Sequence, residues 1–235
     1  MISKTKLGEL VKTFRWKEVD AGLAEKPELL AVRDDRGRNW LHLCCGVNPK
    51  RAKLKAEDSV KTAEVLLRRG IDINQEAFTE GEWKATPLWF AIARGENLVL
   101  AEFLLKRGSN PNYCLWAAGF VENIEAIRLL VRHGGNVNDH SAVEESPFMG
   151  AIKWSHFKAA EELLKLGADV NYVDPMGMTA LHYMLKKGSD KKYFAMLIAH
   201  GARGDIKNKD GVTAAEIMRK KRDPEFRRMA EQLRG

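Results

Sequence analysis

The stretch LLKLGADVNYVDPMGMTALHYM, residues 163–184, contains the local signals that the rest of the sequence repeats. Its first part, LLKLG, predicts the end of a helix at Gly167, because glycine adopts the left-handed conformation of a helix C-terminus at little cost. Its last part, TALHYM, predicts a new helix that begins after Thr179, since threonine is a favourable N-cap. The stretch therefore predicts one helix end, one connection and one helix start.

Both parts recur along the chain at a nearly constant spacing. The first recurs as two leucine-like residues, two spacers, a glycine and a tail that ends in Asn or Asp, with its glycines at Gly70, Gly108, Gly134, Gly167 and Gly201. The second begins at Asn39, Thr86, Tyr113, Ser146, Thr179 and Thr213, at intervals of 47, 27, 33, 33 and 34 residues. One such helix pair cannot bury its apolar face alone, so the pattern predicts pairs that stack on one another.

These phrases resemble the ankyrin repeat, whose period is 33 residues and whose signature is T-P-L-H-x-A. The match is close in TPLWFA at Thr86, in TALHYM at Thr179 and in LLKLGADVN at Leu163. A D-x-x-G turn precedes the signature at Asp34 and Asp174. The resemblance covers roughly residues 34–218, and it implies an all-α, ankyrin-like helical repeat solenoid of helix-turn-helix units with hairpin-like fingers.

The predicted domain organisation is a single ankyrin-repeat domain over residues 1–235. Residues 1–33 are expected to form an N-terminal cap helix pair, and residues 34–205 to form about five repeats. Residues 206–235 are expected to form a degenerate C-terminal capping repeat, because terminal repeats need a polar outer face.

Departures from the repeat point to places where this chain differs from a plain array. About ten extra residues within GVNPKRAKLKAED predict a basic loop with Lys50, Arg51, Lys53 and Lys55. The segment 75–85 is about four residues longer than an ordinary connection, which predicts a long finger. After Asn112 the next signature begins at once, so the third finger is expected to be missing.

The resemblance implies that a partner lies on the fingers and on the exposed face of the first helices. The predicted partner-binding residues are Glu80, Glu82, Trp83, Arg94, Phe120, Lys153, Trp154, Lys186 and Lys187. A second finger at residues 141–145 is expected to add acidic contacts. Aromatic side chains beside lysine or arginine are typical of interface hot spots. The alternative is that Phe120 and Trp154 pack against neighbouring repeats.

The expected partner is another protein that presents an acidic segment with an apolar anchor. The net charge is +7, and the basic excess lies at both ends of the chain, which leaves binding of nucleic acid or another anionic surface open as the alternative. That alternative would use the basic insertion and the C-terminal helix. The run RKKR at residues 219–222 favours a basic last helical turn over a nuclear address.

The sequence contains no P-loop, no G-x-G-x-x-G, no H-E-x-x-H and no G-x-S-x-G motif. We therefore expect no catalytic residue, no cofactor and no metal. His42, Cys44 and Cys45 are close in sequence and are residue types that bind metals. Residues two apart on a helix point to different faces, so these side chains are not expected to bind one ion together. Trp89, Trp116, His42 and His182 occupy the signature's histidine position and are predicted to be structural. An odd number of cysteines, no apolar span and no secretory signal favour a cytoplasmic location, and secretion by a route without an N-terminal signal is the alternative. The protein is expected to be a monomer.

Overall fold

The computed structural model describes residues 1–80, 83–112, 114–139 and 145–233, and of residues 78–80, 83 and 84 it describes the backbone alone. The predicted fold class is confirmed, since the described residues form helices arranged in pairs. The α-helices are α1 (Lys4–Lys12), α2 (Trp16–Glu25), α3 (Trp40–Cys45), α4 (Pro49–Ala52), α5 (Ala56–Arg68), α6 (Pro87–Ala93), α7 (Leu98–Lys106), α8 (Cys114–Phe120), α9 (Ile124–Arg132), α10 (Pro147–Trp154), α11 (Phe157–Lys165), α12 (Ala180–Lys187), α13 (Lys191–Ala199), α14 (Ala214–Arg219) and α15 (Pro224–Gln232). A 3₁₀ helix spans Pro27–Ala31.

The chain divides into two compact units. The N-terminal unit comprises Met1–Ala117 with Arg128–Gly135, and the C-terminal unit comprises Ala118–Ile127 with Asn136–Gly235. The boundary falls inside the helix pair of the third repeat, α8 and α9. Each unit therefore has its own core and its own surface, and each is described separately below.

The first helix of each repeat begins as the signature predicts. Thr86 accepts a hydrogen bond from the backbone N–H of Trp89 (3.3 Å) and Pro87 follows as the first helical residue. Ser146 caps α10 in the same way, through the N–H of Met149 (3.1 Å). These caps satisfy backbone donors that a helix N-terminus otherwise leaves without partners. The signature is thus a set of helix-start residues.

The first of the two recurrent phrases ends helices and links successive repeats. Gly167 has φ +94° and follows α11, as predicted from its position. Asn171, at the end of that phrase, donates from Nδ2 to the Gly201 carbonyl (3.1 Å) and accepts from the Arg203 N–H (2.7 Å). Asn138 makes the equivalent contacts one repeat earlier in the same unit. The recurrent asparagine therefore connects one repeat to the next, which explains why the phrase ends there.

The finger after α5 is a two-stranded antiparallel hairpin. Strands β1 (Ala77–Glu80) and β2 (Trp83–Ala85) pair with Ala77 opposite Ala85 and Glu80 opposite Trp83. By contrast, α8 begins two residues after Asn112, so the third repeat has no room for a hairpin. Both features agree with the spacing of the sequence.

The predicted basic loop contains a short helix. Asn48 accepts a hydrogen bond from the Arg51 N–H (3.0 Å) and Pro49 starts α4, which Lys53 ends in the left-handed conformation at φ +56°. The Arg51 guanidinium binds Glu96 at 2.7 Å. The insertion is therefore partly helical, because an N-cap and proline at its start favour a helical turn.

Each unit has an apolar core between its helices. In the N-terminal unit the fully buried side chains include Leu41, Leu66 and Leu104, and in the C-terminal unit they include Phe148 and Phe194. Burial of such side chains contributes about 1.5–3 kcal/mol each and holds the first helices in register. This core fixes where the C-terminal ends of the first helix of each repeat lie at the surface.

Candidate functional site

The C-terminal unit places two predicted aromatic residues together at the surface. Phe120 ends α8 and is 38% exposed, whereas Trp154 ends α10 and is 57% exposed. Their rings meet edge to face, with centroids 5.2 Å apart and planes at 89°. His156 lies beside Phe120 at 6.2 Å. The two aromatics therefore pack on each other across neighbouring repeats and still present a broad apolar face to solvent.

Two predicted lysines lie at the corresponding end of α12. Lys187 donates from Nζ to the Ser155 hydroxyl (3.0 Å) and to the Lys153 carbonyl at the end of α10. Lys186 is exposed, and within the described part of the chain it forms no ion pair. We call Phe120, Trp154, Lys186 and Lys187 the aromatic–lysine surface. The surface combines an apolar face with positive charge that no described carboxylate neutralises.

Lys153 is engaged inside the C-terminal unit. Its ammonium lies 2.6 Å from Glu145 and 3.5 Å from Asp174, and 4.6 Å from the ring centroid of Tyr183. Burial acts to lower the pKa of Lys153, but the hydrogen bond and charge of Glu145, with Tyr183, outweigh it and raise that pKa. Lys153 therefore keeps its charge, but most of that charge is already neutralised.

Asp174 joins this network from the turn before α12. It accepts a hydrogen bond from the Tyr183 hydroxyl (2.5 Å) and from the backbone N–H groups of Met176 and Met178 (both 2.9 Å). Burial acts to raise the pKa of Asp174, yet these donors and the Lys153 charge lower it overall. The network ties the turn to the end of α10 and to the middle of α12, and so positions the aromatic–lysine surface.

Arg94 lies in the other unit. It follows α6 and lines a cleft with Lys12, Arg36 and Arg38. The sequence analysis did not select these three cations, although the run DDRGR at residues 34–38 places two arginines in the predicted turn. The spacing of the repeats indicates where the turn is, but it does not indicate which of its side chains face a cleft.

The predicted acidic fingers fall partly outside the described residues. Glu82 and residues 141–144 lie outside them, and Glu80 and Trp83 are described by their backbone alone, in β1 and β2. Glu145, at the end of the second finger, is described and binds Lys153. The partner contacts of Glu80, Glu82 and Trp83 therefore stay predictions.

Three of the four residues predicted to be structural are buried. His42 is fully buried, with Nε2 3.2 Å from the Ala85 carbonyl, and His182 is 2% exposed, with Nε2 3.1 Å from that of Val212. Trp89 is 7% exposed, and Trp116 is half-buried. Each of the two histidines thus joins a first helix to the backbone before the next one, as expected for a core position.

The chemistry of the buried cysteines is consistent with a packing role. Cys44 and Cys45 are fully buried and carry no disulfide, and burial raises the pKa of both thiols.

Across residues 1–80, 83–112, 114–139 and 145–233, no cluster of three histidine, cysteine or carboxylate side chains could hold a metal ion. No helix in those ranges is long and apolar enough to cross a membrane.

Stacked helix pairs, linked by buried histidines and bridging asparagines, define a helical repeat protein. A sequence model described as ankyrin repeats (3 copies) matches residues 88–174 and 114–210, more than half of the chain. The chain belongs to the ankyrin repeat family. Domains of this family generally mediate protein–protein interactions.

Individual relatives are similar over part of their length. An ankyrin repeat protein of fowlpox virus is 27% identical over 150 residues, which cover 48% of this chain and 28% of the viral protein. The phosphocholine transferase AnkX of Legionella pneumophila is 29% identical over 140 residues, which cover 55% of this chain and 14% of that enzyme. The chain thus spans less than a third of either relative.

Among solved structures, the ankyrin repeat domain of human ASB11 superposes with a TM-score of 0.72. The alignment covers 97% of both chains at 19% sequence identity. At this identity the similarity concerns the fold. The partners of that domain carry no information about the partner of this one.

Proposed function

We propose that this chain is a protein-binding module without catalytic activity, and that the aromatic–lysine surface binds an acidic segment with an apolar anchor. The observation that carries the proposal is the exposure of Trp154, 57%, at the end of a helix whose first six residues are buried. Family membership supports protein binding in general. The chemistry of this surface supports the choice of partner.

The aromatic pair suits an apolar anchor. Phe120 packs against the Trp154 ring at right angles, so the indole loses little further conformational freedom when a partner covers it. Tryptophan and tyrosine dominate interface hot spots, where truncation to alanine costs at least about 2 kcal/mol. An apolar side chain of a partner would therefore gain most by packing on Trp154.

The lysines suit an acidic neighbour of that anchor. Lys186 has no ion pair among the described residues, and Lys187 binds the carbonyl and hydroxyl at the end of α10. A carboxylate beside the apolar anchor would lie next to the Lys187 ammonium, which contacts the residue after Trp154, and Lys186 adds positive charge at the same end of α12. Charge at the rim of an interface mainly sets the association rate and the partner choice. Lys153 contributes less to the proposed contact, because Glu145 and Asp174 already neutralise it.

The test is a quantitative pull-down from lysate of the source organism with the full chain at two salt concentrations, with and without nuclease. Wild type is compared with Trp154→Ala and with Met176→Ala, which removes an equally exposed side chain (57%) in the same unit. A protein retained by Met176→Ala and lost with Trp154→Ala supports the proposal. Once that protein is identified, affinity unchanged by Trp154→Ala combined with Lys186→Glu would overturn it.

Binding of nucleic acid or another anionic surface is the second candidate. It is favoured by exposed cations around α14 and α15, namely Arg219, Lys220, Arg222, Arg227 and Arg228. This function predicts capture that nuclease abolishes and affinity that falls steeply with salt. It also predicts no effect of Trp154→Ala, so the same experiment separates the two functions.

A further inference from the structure

The N-terminal unit contains a basic cleft that is separate from the aromatic–lysine surface. The cleft has a volume of about 400 Å³, within the usual range of ligand sites. We call it the arginine cleft and define it by Lys12, Arg36, Arg38, Phe90 and Arg94. No aspartate or glutamate is among the described residues that line it. Its walls come from α1, the turn at residues 34–38, α3 and α6.

The positive charge of the arginine cleft is only partly neutralised. Arg38 binds Asp34, with Nε 2.7 Å from Oδ2. The same carboxylate accepts hydrogen bonds from the backbone N–H groups of Arg36 and Arg38 (both 3.0 Å) and so stabilises the turn at residues 34–38. Lys12 and Arg94 form no ion pair within the described ranges. The cleft therefore has an excess of positive charge and can bind a ligand with more than one negative charge.

The apolar wall of the cleft is held rigidly. Phe90 is 4% exposed and meets His42 edge to face at 5.5 Å and 88°. His42 is held in turn by its contact with the Ala85 carbonyl (3.2 Å). The Arg38 guanidinium lies 5.9 Å from the centroid of the Phe90 ring, so the buried ring supports Arg38 from below the cleft surface. A rigid wall on buried helices limits the ordering cost of binding.

We propose that the arginine cleft binds a phosphorylated side chain on a segment of a partner protein. A phosphate monoester carries a charge of about −1.5 to −2 at pH 7 and has three acceptor oxygens, whereas a carboxylate carries one charge. Guanidinium groups bind such oxygens in paired hydrogen bonds. Leu43 and Val47, which are half-buried and line the cleft beside the buried Phe90, provide an apolar contact for a residue next to the phosphorylated one. This site does not depend on the aromatic–lysine surface.

The experiment uses the full chain and a fluorescent peptide with phosphoserine between two leucines, followed by anisotropy at physiological salt. The same peptide with serine tests the need for phosphate, and inorganic phosphate is added as a competitor. Two variants are tested. One is the single substitution Lys12→Gln, and the other is the double substitution Arg36→Gln with Arg94→Gln. Lys4→Gln is the matched control, since Lys4 is an exposed lysine on α1 that lies about 12 Å along the helix from Lys12. Circular dichroism confirms that each variant is folded.

We expect saturable binding of the phosphopeptide, weakened roughly tenfold or more by the arginine pair of substitutions and less by Lys12→Gln. Lys4→Gln should bind as wild type does. Equal binding of the serine peptide, or unchanged affinity in the folded arginine variant, would overturn the proposal. The proposal would also be overturned if inorganic phosphate displaced the peptide with an inhibition constant equal to the dissociation constant of the peptide. The apolar wall would then contribute nothing to binding.

Discussion

Burial of His42 should make the stability of this protein fall in mild acid. The imidazole is fully buried against the Ala85 carbonyl and the Phe90 ring. Burial lowers the pKa of His42 from 6.5 to about 4, although the hydrogen bond to Ala85 acts in the opposite direction. The unfolded chain therefore binds a proton at a pH at which the folded chain does not, and protonation favours unfolding.

The magnitude follows from that difference in pKa. The gap between 6.5 and about 4 corresponds to about 3 kcal/mol once the pH is well below both values. This stabilisation is fully present above pH 6.5 and is lost as the pH falls towards 4. At pH 5 the expected loss from His42 alone is about 2 kcal/mol relative to pH 7.5.

The assay is urea unfolding of wild type and His42→Gln at pH 7.5 and pH 5.0, followed by circular dichroism. Glutamine can keep the capping interaction with Asn39 because it suits the third position of a helix. The variant should lose about 2 kcal/mol less between the two pH values than wild type does. Ala63→Gly is the control, since it weakens α5 without changing a titratable group and should keep the wild-type pH dependence.

The reasoning would be refuted by a His42→Gln variant with the same pH dependence as wild type. It would equally be refuted by an NMR titration in which the His42 ring protonates near 6.5. Either result would mean that the imidazole is solvated in the folded protein.

Two further predictions concern packing, and both are measured by thermal and urea unfolding. Gly95→Ala would place a Cβ 2.2 Å from the Cys45 carbonyl oxygen, so it should cost about 3 kcal/mol or more. Gly70→Ala, where φ is +97° and no heavy atom beyond the adjacent residues lies within 4 Å of the added Cβ, should lower stability by about 1 kcal/mol. Equal losses in the Gly95 and Gly70 variants would contradict the predicted clash with the Cys45 carbonyl. Phe148→Ala should lose about 3–5 kcal/mol, because Phe148 is fully buried. Met176→Ala should stay within about 0.5 kcal/mol, and a similar loss in both variants would refute the assignment of the core.

Much of the fold was determined by local sequence signals. Thr86 and Ser146 predict helix starts, and Gly167 predicts a helix end, because caps and positive φ depend on a few neighbouring residues. The spacing of the phrases predicts that helix pairs stack. The basic insertion shows the limit of such signals. Asn48 and Pro49 are residues that favour a helix start, yet the insertion was predicted to be a loop, and the structure places the short helix α4 there.

The candidate surfaces depended on tertiary structure. The sequence selected Trp154 and Phe120 as partner-binding residues, but it left open whether they pack against neighbouring repeats. The structure shows that they pack on each other and also remain exposed. Lys153 was predicted to bind the partner, and nothing in the order of residues indicated that Glu145 and Asp174 neutralise it.

The arginine cleft could not be inferred from the order of residues. Lys12, Arg38 and Arg94 are far apart in the chain and belong to three different elements. Local conformation depends on neighbours in sequence, whereas the net charge and shape of a cleft depend on which side chains the core brings together. The sequence by itself therefore determined the repeat and its helices, and only the tertiary structure decided which cations face one another and which remain without a carboxylate.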